Sequence, residues 1–396
     1  MQCTWRDGKL LTLLTTGSLL VMTGAVIAPV LPKMILQLEI DPALAGYLVS
    51  AHYLTVAIFS PLLGILADRT GQVRVLTLSL LLYGVFGAVG GIMPDFRTIL
   101  ITRICVGAAS GGIAAATLGL LVRRYVSEVA RSQAIAYVAT ALTLANIVYP
   151  VLAGFIGGIH WRWVFGLHGL GLPLALIVAM TFQQPMFNHF HSQTTSTLES
   201  DAQKLKGVLQ NPHILQLYAT QGLTAAIAHA TIIYLPLYLK ATLNTGTVLN
   251  GLVLASQALG AAAISALGMR RLAQRIGLGG AASLGLGCMT VTLGTMPQFQ
   301  RLLFLLPAVT LFGIGLGLVV PSLYSWVSNL APAGLQSSVL AICVGANFLG
   351  QFIAPSIFGI VLNRQGLSSV FYGAAGLALI LGLGLMLMQS SSRFKS

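Results

Sequence analysis

Long apolar runs dominate the chain, each ended by a few charged residues, a glycine or a proline. Twelve runs, at 10–35, 44–67, 75–93, 97–122, 132–157, 163–182, 213–239, 247–268, 278–297, 302–327, 337–362 and 367–388, match the length of membrane helices. A helix rises 1.5 Å per residue, so about 20 residues cross a hydrocarbon core. The pattern predicts an all-α membrane protein with twelve transmembrane helices. The first run is longer than the apolar stretch of a signal peptide, and eleven more follow it, so it reads as a retained helix.

One polar stretch is longer than the rest. Residues 183–211, rich in Ser, Thr and Gln, follow the sixth run and divide the chain into an N-terminal bundle (1–182), a cytoplasmic linker (183–211) and a C-terminal bundle (212–396). The halves repeat each other. "GILADRTG" at 64–71 aligns with "RRLAQRIG" at 270–277, pairing Leu66 with Leu272, Ala67 with Ala273, Arg69 with Arg275 and Gly71 with Gly277. Nearly the same offset pairs Pro150 with Pro355, Gly154 with Gly359, the "LP" at 31–32 with that at 235–236, and Arg97 with Arg301. Agreement over four spans indicates duplication into two six-helix repeats. Such repeats suit alternating access about a midplane site.

Composition narrows the classes. Of 396 residues 56% are hydrophobic and only 7% charged, too little polar surface for a soluble chain of this size. The net charge of +13 does not signal nucleic acid, because the basic residues stand singly between apolar runs. With both termini in the cytoplasm, fourteen Lys and Arg lie inside and six (Lys33, Arg97, Arg162, Lys240, Arg301, Arg364) outside. That asymmetry obeys the positive-inside rule, and a plasma or bacterial inner membrane is the expected location. Cys3, Cys105, Cys288 and Cys343 have no metal-ligand spacing and read as buried thiols. His189 and His191 read as incidental residues of the linker, and no metal site or cofactor is expected.

Gly64, Leu66, Asp68, Arg69, Gly71 and Arg74 resemble the loop 2–3 motif of the major facilitator superfamily. "RICVGAASGG" at 103–112 is similar to that family's fourth-helix signature, "HWRWVF" at 160–165 to the start of its sixth helix, and "RRYVSEVARSQA" at 123–134 to its basic loop 4–5. The resemblance extends over the whole chain and comes nearest to the twelve-helix drug:proton antiporters. It implies the major facilitator fold, with Gly64, Asp68, Arg69, Gly71 and Arg74 as a conformational latch. The second copy carries Gln274 in place of Asp68, which leaves any latch one-sided. Physics alone gives the motif a second role: its glycines permit a tight reversal and its arginines anchor one membrane face.

Arg103 is the only charged residue well inside a span, expected to face a watery cavity and contact substrate, or else to pair internally. None of the eight acids falls in the middle of a span, so the titratable groups there are His52, His168 and His229. The family implies that helices 1, 4, 7 and 10 line the cavity. His229 is therefore the preferred proton carrier, with His52 second and Gln221 eight residues before His229 on the same face. Asn146, Pro150 and Gly154 recur in the other half as Gln351, Pro355 and Gly359, at spacings of four and eight. The prolines and glycines read as a hinge or as packing, and Asn146 and Gln351 as cavity candidates, joined by Tyr234, Tyr238, Tyr324 and Trp326. "GIGLG" at 313–317 reads as packing.

The expected function is secondary active transport: proton-coupled export of small amphipathic compounds by a chain acting as a monomer in the lipid bilayer. The alternative is a facilitator or importer of a metabolite without proton coupling. No nucleophile, base or metal constellation suggests an enzyme.

Overall fold

A computed structural model describes residues 7–125, 127–182, 208, 210–332 and 335–393. Among them are twelve helices long and apolar enough to span a membrane: α1 (Gly8–Leu38), α2 (Pro42–Thr70), α3 (Gln72–Val89), α4 (Phe96–Arg124), α5 (Val129–Ile159), α6 (Trp161–Thr181), α7 (Pro212–Leu243), α8 (Thr247–Leu267), α9 (Met269–Gln298), α10 (Leu302–Leu330), α11 (Ser338–Gln365) and α12 (Leu367–Gln389). All twelve expected runs are found. Several helices extend past their apolar run because a polar residue caps them. Asp7 accepts from the Lys9 amide at 3.1 Å, Asp41 from Ala43 at 2.9 Å, Asp95 from Thr98 at 3.0 Å and Ser127 from Ala130 at 3.3 Å. Each satisfies an amide that the first helical turn leaves without a partner.

Two expectations need correction. Within 64–75 the expected tight reversal rests on Gly71 alone, with φ 107°, because α2 stays helical through Thr70. Gly64 lies inside α2, where an added methyl would meet Ala115 at an ordinary 3.5 Å. In the second half, helix from Met269 breaks at Gly277, whose φ is 80°, and the part beyond the break starts at 278, where the ninth run was expected. The two aligned glycines thus share a backbone conformation that side-chain-bearing residues rarely adopt. The cysteines also differ: Cys343 is buried, but Cys105 and Cys288 are only half-buried. Cys3, His189, His191 and nearly all of the linker lie outside the described residues.

The chain forms two compact units, Met1–Pro185 with Ile232–Ala255, and Met186–Thr231 with Ser256–Ser396, so far as these residues are described. In the first unit α4 packs on α2 and α3, α1 on α5, and α3 on α6; in the second α9 packs on α10 and α12. Small residues set the closest approaches. A methyl on Gly107 of α4 would sit 2.4 Å from the His52 carbonyl of α2, and one on Gly313 of α10 would sit 2.0 Å from the Gln257 carbonyl of α8. Gly111 and Gly317 repeat the arrangement against Ser60 and Ala261. The internal duplication is therefore visible in packing as well as in sequence.

Two of the six cations expected outside close helix ends. Lys33 donates to the Gly157 and Gly158 carbonyls at 2.8 and 3.1 Å, and Arg162 to those of Gly91 and Met93 at 3.0 and 2.7 Å. A cation is favoured where terminal carbonyls collect negative partial charge.

Candidate functional site

α1 is not continuous. Its first part ends at Ala25, a 3-10 turn covers Ala28–Val30, and helix resumes at Leu31. The Ile27 amide bonds the Gly24 carbonyl at 3.3 Å instead of Thr23, and Pro29 has no amide hydrogen. The break thus leaves the Thr23 carbonyl without its helical donor. Arg103 of α4, 1% exposed, donates to that carbonyl through Nη2. Its Nε donates to the Leu48 carbonyl of α2 at 3.1 Å, and its Nη1 contacts His168 Nε2 of α6 at 3.2 Å.

His168 sits in a 3-10 segment, Trp161–Leu170, with Nδ1 3.2 Å from the Phe165 carbonyl. A carbonyl only accepts, so Nδ1 carries the proton and Nε2 accepts from Arg103. Tyr83 of α3 donates to the Leu19 carbonyl at 2.9 Å and accepts from Thr23 Oγ1 at 3.2 Å. Arg103 therefore has the internal partners that were one of its two expected fates. The Gly107–Gly111 face following it is filled by α2. His52 is buried within the same unit, with its ring centroid 3.9 Å from that of Tyr53.

In the second unit α7 buries Gln221, Thr224 and His229, at 0%, 0% and 1% exposure. Among the described residues neither end of the Gln221 amide nor the Thr224 hydroxyl has a hydrogen-bond partner. The helix presses on α11: a methyl on Gly350 would sit 1.9 Å from the Gly222 carbonyl, and Tyr218 donates to the Val339 carbonyl at 3.0 Å. Gln351 is half-buried and donates to Asn347 of its own helix. Tyr324 and Trp326 of α10 are half-buried, Trp326 lying against Gly279.

In the first unit Tyr234 is fully buried, its hydroxyl without a hydrogen-bond partner among the described residues, and Tyr238 is 2% exposed. Asn146 does not join these buried groups. It is exposed and donates to the Leu142 carbonyl of its own helix at 2.9 Å, the local bond open to an amide side chain on a helix.

The motif around Asp68 closes on itself. Asp68 accepts from Gln72 Nε2 at 2.9 Å and from Arg123 of α4 at 3.1 Å, an exposed ion pair. Gln72 is buried over Gly119, where a methyl would sit 2.6 Å from its amide carbon. Arg69 and Arg74 are exposed.

Pro150 and Gly154 mark a helix crossing. Methyl groups on Gly154 and Gly251 would lie 2.7 Å from the Thr247 carbonyl and 2.3 Å from the Pro150 carbonyl. Beside this crossing Asn250 donates to the Pro29 carbonyl at 3.2 Å and accepts from Thr245 at 2.9 Å. Pro355 and Gly359 are buried in α11. Sequence reasoning missed Thr245, Thr247 and Asn250. Their signal was faint: uncharged polar residues where an apolar run begins.

Among the described residues no group of three or more His, Cys, Asp or Glu is placed to hold a metal.

Comparison with known proteins agrees with this architecture. Over 379 residues the chain is 24% identical to a multi-drug resistance efflux pump, PmrA, of Streptococcus pneumoniae serotype 4, covering 89% of this chain and 90% of that protein. It is 27% identical over 184 residues to multidrug resistance protein 1 of Bacillus subtilis, a match spanning 45% of this chain and about half (46%) of that relative's length. In fold it is similar to a mutant of the nucleoside transporter NupG, with a TM-score of 0.81, 14% identity and coverage of 96% of this chain and 99% of that one. The Major Facilitator Superfamily profile matches residues 13–355 and 230–394, and the chain belongs to that family.

Proposed function

We propose that this transporter works by alternating access between two six-helix halves (1–182 and 212–396) and exports small amphipathic compounds in exchange for protons. The observation that carries this reading is the near full-length similarity to an efflux pump. Within the second unit substrate meets Gln221 of α7 as its principal handle, with Tyr324 and Gln351 as further candidates. An amide buried without a partner costs about 1–3 kcal/mol, which a bound hydrogen-bonding ligand would offset. His229, an imidazole on the same helix, carries the proton. The motif of Gly64, Asp68, Arg69, Gly71 and Arg74 controls the conformational exchange. Pro150, Gly154, Pro355 and Gly359 shape the helices that move. The chain acts as a monomer in the inner membrane with both termini in the cytoplasm.

Uncharged amphipathic compounds fit best. No Asp or Glu lies in the middle of a span to attract a cation, and the donors of Arg103 face backbone carbonyls and His168.

The same lack of a buried acid favours a second reading, a facilitator or importer that moves a metabolite down its own gradient. Everted membrane vesicles with a pH-quenched dye separate the two. Antiport requires a compound to collapse the pH gradient only when the protein is present, and His229→Ala to abolish that response. Compound movement without any pH change supports the facilitator instead.

A further inference from the structure

We propose that Arg103 is a positioning residue that holds the break in α1 and thereby sets the contact between Pro29 and Asn250. The inference does not depend on proton coupling or on substrate identity.

Three observations combine. The break removes the helical donor of the Thr23 carbonyl, and Arg103 replaces it from another helix. In the membrane interior an irregular backbone persists only where its polar groups are satisfied by protein or water. The same guanidinium bonds Leu48 of α2 and His168 of the 3-10 segment in α6, so one side chain ties the irregular parts of α1 and α6 to a regular helix. Finally, the 3-10 turn just beyond the break presents the Pro29 carbonyl, which accepts from Asn250, while the adjacent Thr247 donates to Gly154.

These contacts form a sequence from Arg103 through Thr23 to Pro29 and Asn250, all within the first compact unit. A guanidinium suits the task, because its fixed fork reaches three acceptors on three helices and stays charged. No carboxylate is needed: carbonyl oxygens and a neutral imidazole compensate the charge. Loss of the fork would free the α1 break to straighten or shift, and Pro29 would leave Asn250.

The test uses Ala28→Cys, a fully buried position in the 3-10 turn, in full-length protein whose native cysteines are replaced. Labelling by a membrane-impermeant maleimide reports whether this end of the unit is closed. With Arg103 intact, labelling is slow. Arg103→Met and Asn250→Ala are each expected to raise the rate at least fivefold, and the double variant to label no faster than the faster single one. Arg103→Lys, which keeps the charge but not the fork, should fall between wild type and Arg103→Met; it also serves if Arg103→Met does not fold. Unchanged labelling in Arg103→Lys and Arg103→Met, or rates that multiply in the double variant, would overturn the proposal. Unchanged labelling together with lost compound binding would instead make Arg103 a substrate contact.

Discussion

Thr247 donates its hydroxyl to the Gly154 carbonyl at 2.8 Å, and a methyl added to Gly154 would sit 2.7 Å from the Thr247 carbonyl. The backbones of α5 and α8 are in contact there, so no side chain fits without separating them. Gly154→Leu is expected to destabilise by about 1–3 kcal/mol or more through overpacking. Thr247→Ala, which removes one hydrogen bond, should cost about 1 kcal/mol. Thermal unfolding in detergent measures both, and an unshifted midpoint for Gly154→Leu would contradict the crossing.

Asp7 ties the start of α1 to the end of α4. Its carboxylate caps α1 and accepts from Arg124 at 2.8 Å and from the Tyr125 hydroxyl at 3.0 Å. Burial alone would raise its pKa, but the bonds from Arg124 and Tyr125 and the Arg124 charge hold it below the ordinary 3.8. A carboxyl lowered on folding stabilises the protein above its unfolded value, and the gain is lost as pH falls through the folded one. Wild type should therefore exceed Asp7→Asn in stability by a constant margin from pH 5 to 8, of about 2 kcal/mol. The margin should close below pH 4. Because Asn also caps helices, Asp7→Ala should cost about a further 1 kcal/mol. A margin that narrows already between pH 7 and 5 would point to a different titrating group.

Gly71 and Gly277 have φ of 107° and 80° with extended ψ, a region that is essentially glycine's own. Alanine at either site should cost about 1–3 kcal/mol and lower the yield of folded protein. Gly64→Ala, within regular helix, should be nearly neutral. Fluorescence-detected size exclusion of the three variants decides; equal yields would remove the conformational requirement.

Asp68→Asn keeps the oxygen that accepts from Gln72 but loses the charge facing Arg123. An exposed pair of this kind contributes about 0–1 kcal/mol, so expression should be normal. If the motif governs conformational exchange, turnover should drop at least fivefold with little change in KM. Normal turnover would leave the motif as a topological anchor only.

Gln221→Leu should weaken substrate binding by about five- to tenfold, the worth of one neutral hydrogen bond. At the same time it should raise thermal stability in the absence of substrate, since an unpartnered buried amide is removed. Opposite signs in the two measurements distinguish a substrate handle from a packing residue, for which both would fall together.

Apolar run length determined the twelve spans, because each span must satisfy its backbone internally and bury enough side chain to remain in lipid. The duplication was legible as well, since equivalent residues such as Gly71 and Gly277 face the same steric demand. The spacing of Gln221 and His229 suggested a shared face of α7, and both side chains are buried. What sequence left open was which groups meet across helices. Whether Arg103 faced a cavity or a partner depended on the break in α1 and the 3-10 turn of α6, which only the packed bundle reveals. The pairing of Asn250 with Pro29 joins residues 221 positions apart, a separation that helical periodicity does not encode. Local pattern fixes elements and faces; hydrogen bonds between distant helices follow from tertiary packing, because they depend on where the backbone becomes irregular and which side chain can reach it.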